Sequence, residues 1–501
     1  MTVSSHAEST PAGSPPESGE LGRRVSRGLG WSLLGQGISR VGVFASGIVL
    51  ARLLAPIDMG EVAAALLVVN VVLAINELGV IPAIVRWTGD ISAASSTGAT
   101  IAFVNSCLMY LVAYTVAPAV ASVTNTPGSV GVIRIMALSV IVDGVIAVPL
   151  ALLYRELRTV PQVLAEVGGM ALYVLVAIGL ASRGVDAEAI AWGRVIGAIT
   201  TGCAIIAVSR WPSRPSFDVH VARRLLSFGV PLAASAAVFE AVMSIDYLIV
   251  GRELSGAALG VYLLAFNLSS WPVSVLSVAI GRVSFAGYAA LAGDHARLVR
   301  GFVHSMAVAL SCTVPLVLVL AAVAPELVEV VYGSTWSGAG APLRWLLIVG
   351  GLRVLLQLVG EVIAVLGRTM AVFRLRCIWL LVLPLALDYG AERAGIRGVG
   401  IAHVVVACVL VVPLFLRELR ISGIPLRALT PITVRPLLAA AAALVAMAAV
   451  APLLDEVVTR LLVISTVGTI VYAAVIVPRN PVVAAVWKQL RGAPSSVPSA
   501  A

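Results

Sequence analysis

Nine ionisable side chains stand near the middle of long apolar stretches of this sequence. They are Arg40, Glu77, Asp143, Arg194, Glu240, Asp246, Arg353, Glu361 and His403. Charge at bilayer depth is costly, so each such residue is a candidate for ligand binding, ion coupling or pairing with another charge. For any one of them, an ion pair that locks two helices together is an equal alternative.

Arginine carries almost all of the positive charge, since Lys488 is the single lysine among 34 basic residues. Guanidinium groups stay charged and bind phosphate oxygens in pairs, so arginines around a cavity predict a phosphate or diphosphate ligand. Arg40 and Arg52 would be about 18 Å apart along one helix, which places one in mid-membrane and the other at the outer mouth. The predicted diphosphate-binding set is Arg40, Arg52, Arg252 and Arg353. For Arg52 and Arg252 the alternative is ordinary snorkelling at a helix end.

Four carboxylates at similar depth are predicted to balance that charge or to carry a coupling ion. They are Glu77, Asp143, Asp246 and Glu361. The sequence leaves open whether the ion is H⁺ or Na⁺, or whether transport runs on mass action alone. We expect no cofactor, no metal site and no catalytic set, because the five cysteines fall inside apolar runs without a CxxC spacing.

The composition requires a membrane. Hydrophobic residues make up 60% of the chain and charged residues 12%, with a mean hydropathy of +1.03, whereas a soluble domain carries about 25% charged residues. Only helices and closed barrels satisfy the backbone in lipid, and continuous apolar runs without alternation select helices. The chain is therefore predicted to be an all-α polytopic membrane protein. Its basic residues flank apolar runs, so the pI near 9.7 does not indicate a nucleic-acid partner.

Apolar runs of about 20 residues, separated by short turn-forming joints, predict fourteen membrane helices. Their predicted bounds are 29–51, 60–85, 97–119, 131–153, 163–182, 188–209, 225–250, 257–281, 301–323, 342–366, 371–388, 397–416, 434–452 and 458–477. With a cytoplasmic N-terminus, the inner segments hold 23 arginines and lysines and the outer segments seven. The positive-inside rule then predicts that both termini are cytoplasmic.

An internal repeat divides the chain into two equal halves. Residues 48–65 and 248–265 align so that Arg52 falls on Arg252 and Gly60 on Gly260, as in many duplicated secondary transporters. The predicted organisation is listed here: a disordered cytoplasmic tail (1–24), an N-lobe of six helices (25–209), a cytoplasmic linker (210–224), a C-lobe of six helices (225–416), two further helices with a preceding cytoplasmic loop (417–477), and a cytoplasmic tail (478–501).

Three motifs resemble one family of transporters. They are ARLLAPIDMG at 51–60, NELGVIPAIVRW at 76–87 and PLALLYRELRTVPQVLAEV at 149–167. The opening of the chain resembles the polysaccharide transporters called Wzx-type flippases, which belong to the MOP (multidrug/oligosaccharidyl-lipid/polysaccharide) exporter superfamily. The motif similarity is dense over the first 170 residues, and the second half matches in helix number and spacing.

The resemblance implies two lobes around a central cavity, alternating access, and export of an undecaprenyl-diphosphate-linked oligosaccharide in a bacterial plasma membrane. The implied partners are that lipid, other membrane lipids and glycan-synthesis enzymes. One departure stands out: cationic cavities of this family often use lysine as well as arginine, whereas lysine is absent from the membrane region here.

Other functions remain open. A carrier of this fold could instead export peptidoglycan lipid precursors or cationic drugs, although the arginines argue against a cationic cargo. A membrane-embedded glycan polymerase or ligase needs acid/base residues on a sizeable outer loop, and the longest outer loop, 324–341, offers Glu326 and Glu329, which are interpreted as solvated charges. A scaffold that recruits glycan-synthesis enzymes is a third alternative.

Overall fold

The computed structural model describes residues 18–76, 79–209, 217–291 and 293–476. The described parts of the chain contain sixteen α-helices: α1 (Ser18–Leu53), α2 (Pro56–Asn76), α3 (Val80–Val85), α4 (Ile91–Val123), α5 (Ser129–Arg155), α6 (Thr159–Ala181), α7 (Glu188–Val208), α8 (Val219–Glu253), α9 (Gly256–Ala290), α10 (His295–Ala322), α11 (Ala324–Tyr332), α12 (Gly340–Val365), α13 (Thr369–Val406), α14 (Val412–Ile421), α15 (Thr430–Val450) and α16 (Val457–Ile476). Glu77, residues 210–216 of the predicted linker, residues 1–17 of the predicted N-terminal tail and the whole predicted C-terminal tail lie outside the described residues.

The all-α fold is confirmed for the described residues, and its helices are compatible with about fourteen membrane segments. Ten stretches of the described residues are long and apolar enough to cross a bilayer, and one of them, Met370–Ile421, has 52 residues and accommodates two crossings. The helices α1, α8 and α9 have 35–36 residues each, which is long enough for the other three predicted segments. Each predicted helix therefore lies on an observed one.

Two helix boundaries differ from the prediction for local backbone reasons. The predicted helix 60–85 is divided into α2 and α3 near Gly79, which has a φ of 60°. The predicted joint between 388 and 397 is a kink inside α13 at Ala394 and Gly395, where Gly395 has a φ of 57°. Left-handed φ values suit glycine because it has no Cβ. The short helix α11, within the predicted outer loop, was not predicted.

Aspartates begin several helices by N-capping. The carboxylate of Asp218 accepts the N–H groups of His220 and Val221 at the start of α8, and Asp294 accepts the N–H of Arg297 at the start of α10. The backbone hydrogen bond from Arg297 lowers the pKa of the Asp294 carboxyl. These caps satisfy donors that the first helical turn leaves free.

The two lobes, α1–α7 and α8–α14, meet where α2 crosses α9. A Cβ atom on Gly60 would collide with the carbonyl of Gly256, and one on Gly260 would collide with the carbonyl of Pro56. Because Gly60 aligns with Gly260 and Pro56 with Gly256 in the repeat, these two contacts are the same contact seen from either half. Reciprocal pairs of this kind mark a two-fold axis, so the internal repeat of the sequence is present in the fold as pseudo-two-fold symmetry.

The Gly260→Ala variant is expected to destabilise the protein. Its added methyl group has no space against Pro56, and overpacking costs roughly 1–3 kcal/mol. A lower thermal unfolding temperature in detergent would show this effect. The matched control is Gly37→Ala on α1, because a Cβ at Gly37 meets no atom within 4 Å. Equal unfolding temperatures for the two variants would show that the α2–α9 crossing tolerates separation.

Candidate functional site

A cavity of about 790 Å³ lies between the lobes. One face of α1, with Arg40, Phe44 and Gly47, forms one wall, and further walls come from α2, α6, α7 and α9. The α1 residues recur every three to four positions, which places them on one side of the helix. Tyr332, the last residue of α11, lines the end of the cavity that is predicted to be outer. The hollow that the cationic-cavity hypothesis requires is therefore present.

Two arginines from different helices line this cavity. Arg40 comes from α1 and Arg194 from α7, and among the described residues neither has a carboxylate within 4.0 Å. Tyr173 of α6 and Asp143 of α5 act on Arg194 electrostatically, and Asp143 has a side-chain hydrogen bond with Asn76. Both guanidinium groups are therefore available to an anion in the cavity.

The other three arginines of the predicted set lie outside the cavity lining. Arg52 donates to the carbonyl oxygens of Val330 and Val331 at the end of α11, at 3.1 Å and 2.9–3.1 Å. Arg252 pairs with Glu253 and lies 3.6 Å from Asp388. Arg353 is inside the second lobe. The structure thus brings Arg40 into the cavity, whereas contact of the other three with a diphosphate stays a prediction.

Arg194 is the cavity residue that the predicted binding set lacks. Its depth in an apolar run marked it as an unusual charge, but no motif and no repeat partner linked it to Arg40. The link is made by packing: α6 contacts both α1 and α7, and Tyr173 of α6 lines the cavity together with both arginines.

One face of α9 adds polar and aromatic groups to the cavity. Asn267, Ser270, Trp271 and Ser274 line it at successive helical turns. Trp271 stacks on Phe44 of α1, with ring centroids 4.8 Å apart and ring planes inclined by 18°. The cavity therefore combines a cationic side, suited to phosphate, with hydroxyl, amide and indole groups, which suit a sugar.

Of the four predicted carboxylates, Asp246 belongs to a buried group in the second lobe that we call the C-lobe polar cluster: Asp246 of α8, Tyr262 of α9, Arg353 of α12 and His403 of α13. The Tyr262 hydroxyl donates to Asp246 Oδ2 at 2.8 Å. His403 Nε2 lies 3.8 Å from the same oxygen and 3.5 Å from the hydroxyl. Asp246 and His403 are each 2% exposed.

The chemistry of the C-lobe polar cluster suits a proton better than a metal ion. Arg353 acts on both Asp246 and His403 electrostatically, and a fixed cation beside the carboxylate opposes Na⁺ binding. His403 Nδ1 and Arg353 Nε are buried without a hydrogen-bond partner among the described residues. Within the same residues, no group of three metal-ligating side chains occurs.

The remaining predicted carboxylates lie apart from this cluster. Asp143 is in the first lobe beside Asn76 and faces Arg194 electrostatically, so it can balance the charge of the cavity. Glu361 of α12 accepts a hydrogen bond of 2.9 Å from Gln357 one turn earlier. Glu77 lies outside the described residues, and its predicted role stays a prediction.

The end of the lobe interface that is predicted to be inner is held by reciprocal cation–π contacts. Arg86 of the first lobe lies over the ring of Phe228, and Arg224 of the second lobe lies over the ring of Trp87, each 4.7 Å from the ring centroid. Such contacts are worth about 0.5–1 kcal/mol when exposed. Two contacts of this kind join the lobes weakly at this end.

Sequence comparisons identify related proteins. Residues 49–340 match the model of a family described as "Polysaccharide biosynthesis protein". The teichuronic acid biosynthesis protein TuaB of Bacillus subtilis is 27% identical over 200 residues, 40% of this chain and 41% of TuaB. The succinoglycan biosynthesis transport protein ExoT of Rhizobium meliloti is 24% identical over 324 residues, 63% of this chain and 64% of ExoT. The matches thus span 41–64% of the length of these two relatives.

Solved structures show the same fold. The lipid II flippase MurJ, in an inward closed conformation, superposes with a TM-score of 0.73 at 13% identity and covers 92% of this chain and 99% of MurJ. An inward-facing multidrug resistance MATE family transporter of the MOP superfamily gives a TM-score of 0.62 at 17% identity, over 77% of this chain and 95% of the transporter. At these identities the likeness establishes the two-lobed MOP fold.

Proposed function

The chain belongs to the polysaccharide biosynthesis protein family, and from that membership we propose that it flips an undecaprenyl-diphosphate-linked oligosaccharide, a polysaccharide repeat unit, across a bacterial plasma membrane. The lipid would move from the inner to the outer leaflet by alternating access, without a chemical change. In this orientation both termini are cytoplasmic. The partners are the lipid-linked oligosaccharide and membrane lipids, with glycan-synthesis enzymes on either side of the transport step.

One observation carries the proposal: a cavity between two lobes holds Arg40 and Arg194 without a carboxylate beside either, among the described residues. Two guanidinium groups that face one hollow without a carboxylate in direct contact, among the described residues, favour an anionic ligand, since each can bind phosphate oxygens through paired charge-assisted hydrogen bonds. A diphosphate that joins a lipid to a sugar is such a ligand. The same charges repel a cationic drug, which argues against drug export.

The polar and aromatic face of α9 supports a sugar next to the diphosphate. Asn267, Ser270 and Ser274 offer hydrogen-bonding groups, and Trp271 is 36% exposed. An indole ring buries large area and keeps a polar edge, which suits the apolar face of a pyranose. These groups are equally compatible with a peptidoglycan lipid precursor, which therefore remains the alternative cargo of the same fold.

A glycan polymerase or ligase is disfavoured by the predicted outer loop. Residues 324–339 form α11 and a following 3₁₀ segment rather than an acid/base site. The interpretation of Glu326 as a solvated charge was wrong, because Glu326 forms an ion pair of 3.3 Å with Arg460 and its side chain is 15% exposed. A carboxylate held in this way is a poor proton donor to a sugar.

For the coupling ion we propose H⁺, taken up by the Asp246–His403 pair of the C-lobe polar cluster. Arg353 disfavours Na⁺ at this place, and a shared proton needs no additional oxygen ligands. The cluster joins α8, α9, α12 and α13, so a change in its charge acts on four helices of one lobe.

The function is tested by translocation in proteoliposomes. We expect the purified protein to move an undecaprenyl-diphosphate-linked fluorescent oligosaccharide between leaflets at least tenfold faster than empty liposomes. The readout is accessibility of the sugar to a membrane-impermeant glycosidase. The matched control is the same oligosaccharide on undecaprenyl monophosphate, which has one phosphate fewer to bind the arginines and should move more slowly. Equal rates with and without protein would overturn the proposal.

A further inference from the structure

A small helical element covers the outer end of the cavity. It consists of α11 and the 3₁₀ segment 334–339, and we call it the outer lid (residues 324–339). It belongs to the second half of the chain, yet the end of α1 in the first half holds it. Arg52 donates three hydrogen bonds to the carbonyls of Val330 and Val331, and Trp336 Nε1 donates to the carbonyl of Ala51 at 2.6 Å.

The contact of Arg52 lies directly beside the cavity. Tyr332, which follows Val331, lines the cavity, and so does Leu50 of α1, two residues before Arg52. Tyr332 is 7% exposed, and this burial raises the pKa of its hydroxyl to about 12. The outer lid therefore excludes water from the outer end of the cavity while Arg52 holds α11.

The charge of Arg52 is not neutralised in this arrangement. Its acceptors are backbone carbonyls, and no carboxylate lies within 4.0 Å of it in the described part of the chain. The repeat supplies an internal comparison, because Arg252, its counterpart, pairs with Glu253 and Asp388. One half of the duplicated chain thus keeps a neutralised arginine, and the other half keeps an exposed arginine without a carboxylate partner at the outer lid.

A phosphate is a stronger acceptor for this arginine than the carbonyls that it now contacts. The end of an α-helix carries only about half a negative charge, whereas hydrogen bonds to ionised acceptors are roughly twice as strong as those to neutral ones. A diphosphate at the outer end of the cavity would therefore compete for the guanidinium. Arg52 cannot satisfy both sets of acceptors with the same N–H groups.

We propose that Arg52 is a ligand-operated latch: an arriving diphosphate takes its guanidinium from the carbonyls of Val330 and Val331 and thereby releases the outer lid. This inference rests on the proposed function. No covalent bond changes; N–H donors exchange neutral acceptors for charged ones. Gly333, with a φ of 98°, joins α11 to the 3₁₀ segment, and a glycine at this position lets α11 turn relative to that segment. Outward release would thus require a bound diphosphate, which prevents the empty carrier from opening.

The test measures opening of the outer lid through a buried cysteine. Val328 of α11 is fully buried, so the Val328→Cys variant, with the five native cysteines replaced, should react slowly with a membrane-impermeant maleimide. Farnesyl diphosphate is the probe ligand, and farnesyl monophosphate and inorganic diphosphate are compared with it. We expect farnesyl diphosphate to raise the labelling rate about tenfold, which corresponds to a shift of about 1.4 kcal/mol in lid opening.

Substitution of Arg52 shows whether the ligand opens the outer lid through this arginine or through another part of the protein. With Arg52→Gln added, labelling should be fast without ligand and should no longer respond to farnesyl diphosphate. The matched control is Arg183→Gln, an exposed outer arginine that makes no contact with the outer lid among the described residues; it should keep the wild-type response. Arg52→Lys keeps the charge but loses the planar fork, so its response should need about tenfold more ligand. If Arg52→Gln fails to fold, Arg52→Lys carries the test.

Two results would overturn the latch. One is that the Arg52→Gln or the Arg52→Lys variant is labelled as slowly as wild type without ligand and responds to farnesyl diphosphate as wild type does. The other is an unchanged labelling rate with farnesyl diphosphate in a protein that still translocates the lipid-linked oligosaccharide. In that second case the proposed function would stand and the latch alone would fail, whereas loss of translocation by the unsubstituted protein would count against the function itself.

Discussion

Replacing Arg40 and Arg194 together by glutamine is expected to lower translocation at sub-saturating lipid about 100-fold. Hydrogen bonds to charged groups are worth about 1.5–3 kcal/mol and those between neutral groups about 0.5–1.5 kcal/mol. Losing that difference at both positions removes about 3 kcal/mol of diphosphate binding, and each 1.4 kcal/mol is a factor of ten. Each single variant should lose about tenfold if the two arginines act independently.

The measurement is the proteoliposome translocation rate across a range of lipid concentrations, with thermal unfolding as the check on folding. Arg40→Lys with Arg194→Lys is the matched control, because it keeps both charges and loses only the paired geometry. It should retain more transport than the glutamine pair. The assignment of the two arginines to the diphosphate would be wrong if the glutamine pair transported at the wild-type rate while unfolding normally.

The fold could be predicted from the sequence because the membrane dictates it locally. An apolar run of about 20 residues has one stable structure in lipid, so the helices 131–153 and 301–323 follow from composition alone. The first lies within α5, and the second ends one residue beyond α10. The ends and bends of helices were harder to predict from the sequence. The sequence does not show whether a helix ends or bends at a left-handed glycine such as Gly395. The predicted helix 371–388 and the first part of the predicted helix 397–416 therefore lie in one kinked α13.

The site could be predicted only in part, because spacing along a helix gives depth but not a partner. Arg40 and Arg52 both lie on α1, yet one faces the cavity while the other holds α11. The contact between Arg52 and Val331 joins residues 279 positions apart. Arg194 enters the site in the same way, through the packing of α7 on α6. Contacts across such distances depend on tertiary packing, which no local pattern encodes.

The C-lobe polar cluster is the clearest example of this limit. Asp246 was predicted to act in coupling or charge balance, and Arg353 to bind diphosphate. The structure places both beside His403, a residue noticed for its depth but given no role. Asp246 and His403 are 157 positions apart and come together because α13 packs on α8. The sequence therefore could not show that Asp246, rather than another carboxylate, lies beside a histidine.

Replacing Asp246 by asparagine is expected to abolish the response of translocation to a pH gradient. In the wild-type protein one proton per cycle can contribute at most about 1.4 kcal/mol per pH unit, or tenfold in rate. Asparagine keeps an oxygen that can accept the hydrogen bond from Tyr262, so the fold should be retained. It removes the negative charge that a proton would neutralise, and Arg353 then remains as the fixed charge of the cluster.

The same experiment distinguishes Asp246 from Glu361, the other predicted coupling carboxylate in the second half of the chain. Glu361 is half-buried and accepts a hydrogen bond from Gln357 on its own helix, so the Glu361→Gln variant should keep the full response to the pH gradient. His403→Gln should lose it as Asp246→Asn does, because the pair takes up the proton together. A sodium gradient should accelerate none of these proteins, since the guanidinium of Arg353 keeps a second cation out of the cluster. Two results would place the coupling site outside the cluster. One is sodium-driven translocation by the wild type, and the other is a pH response that survives in Asp246→Asn and disappears in Glu361→Gln. Asp246, Tyr262 and His403 would then only connect α8, α9 and α13 structurally.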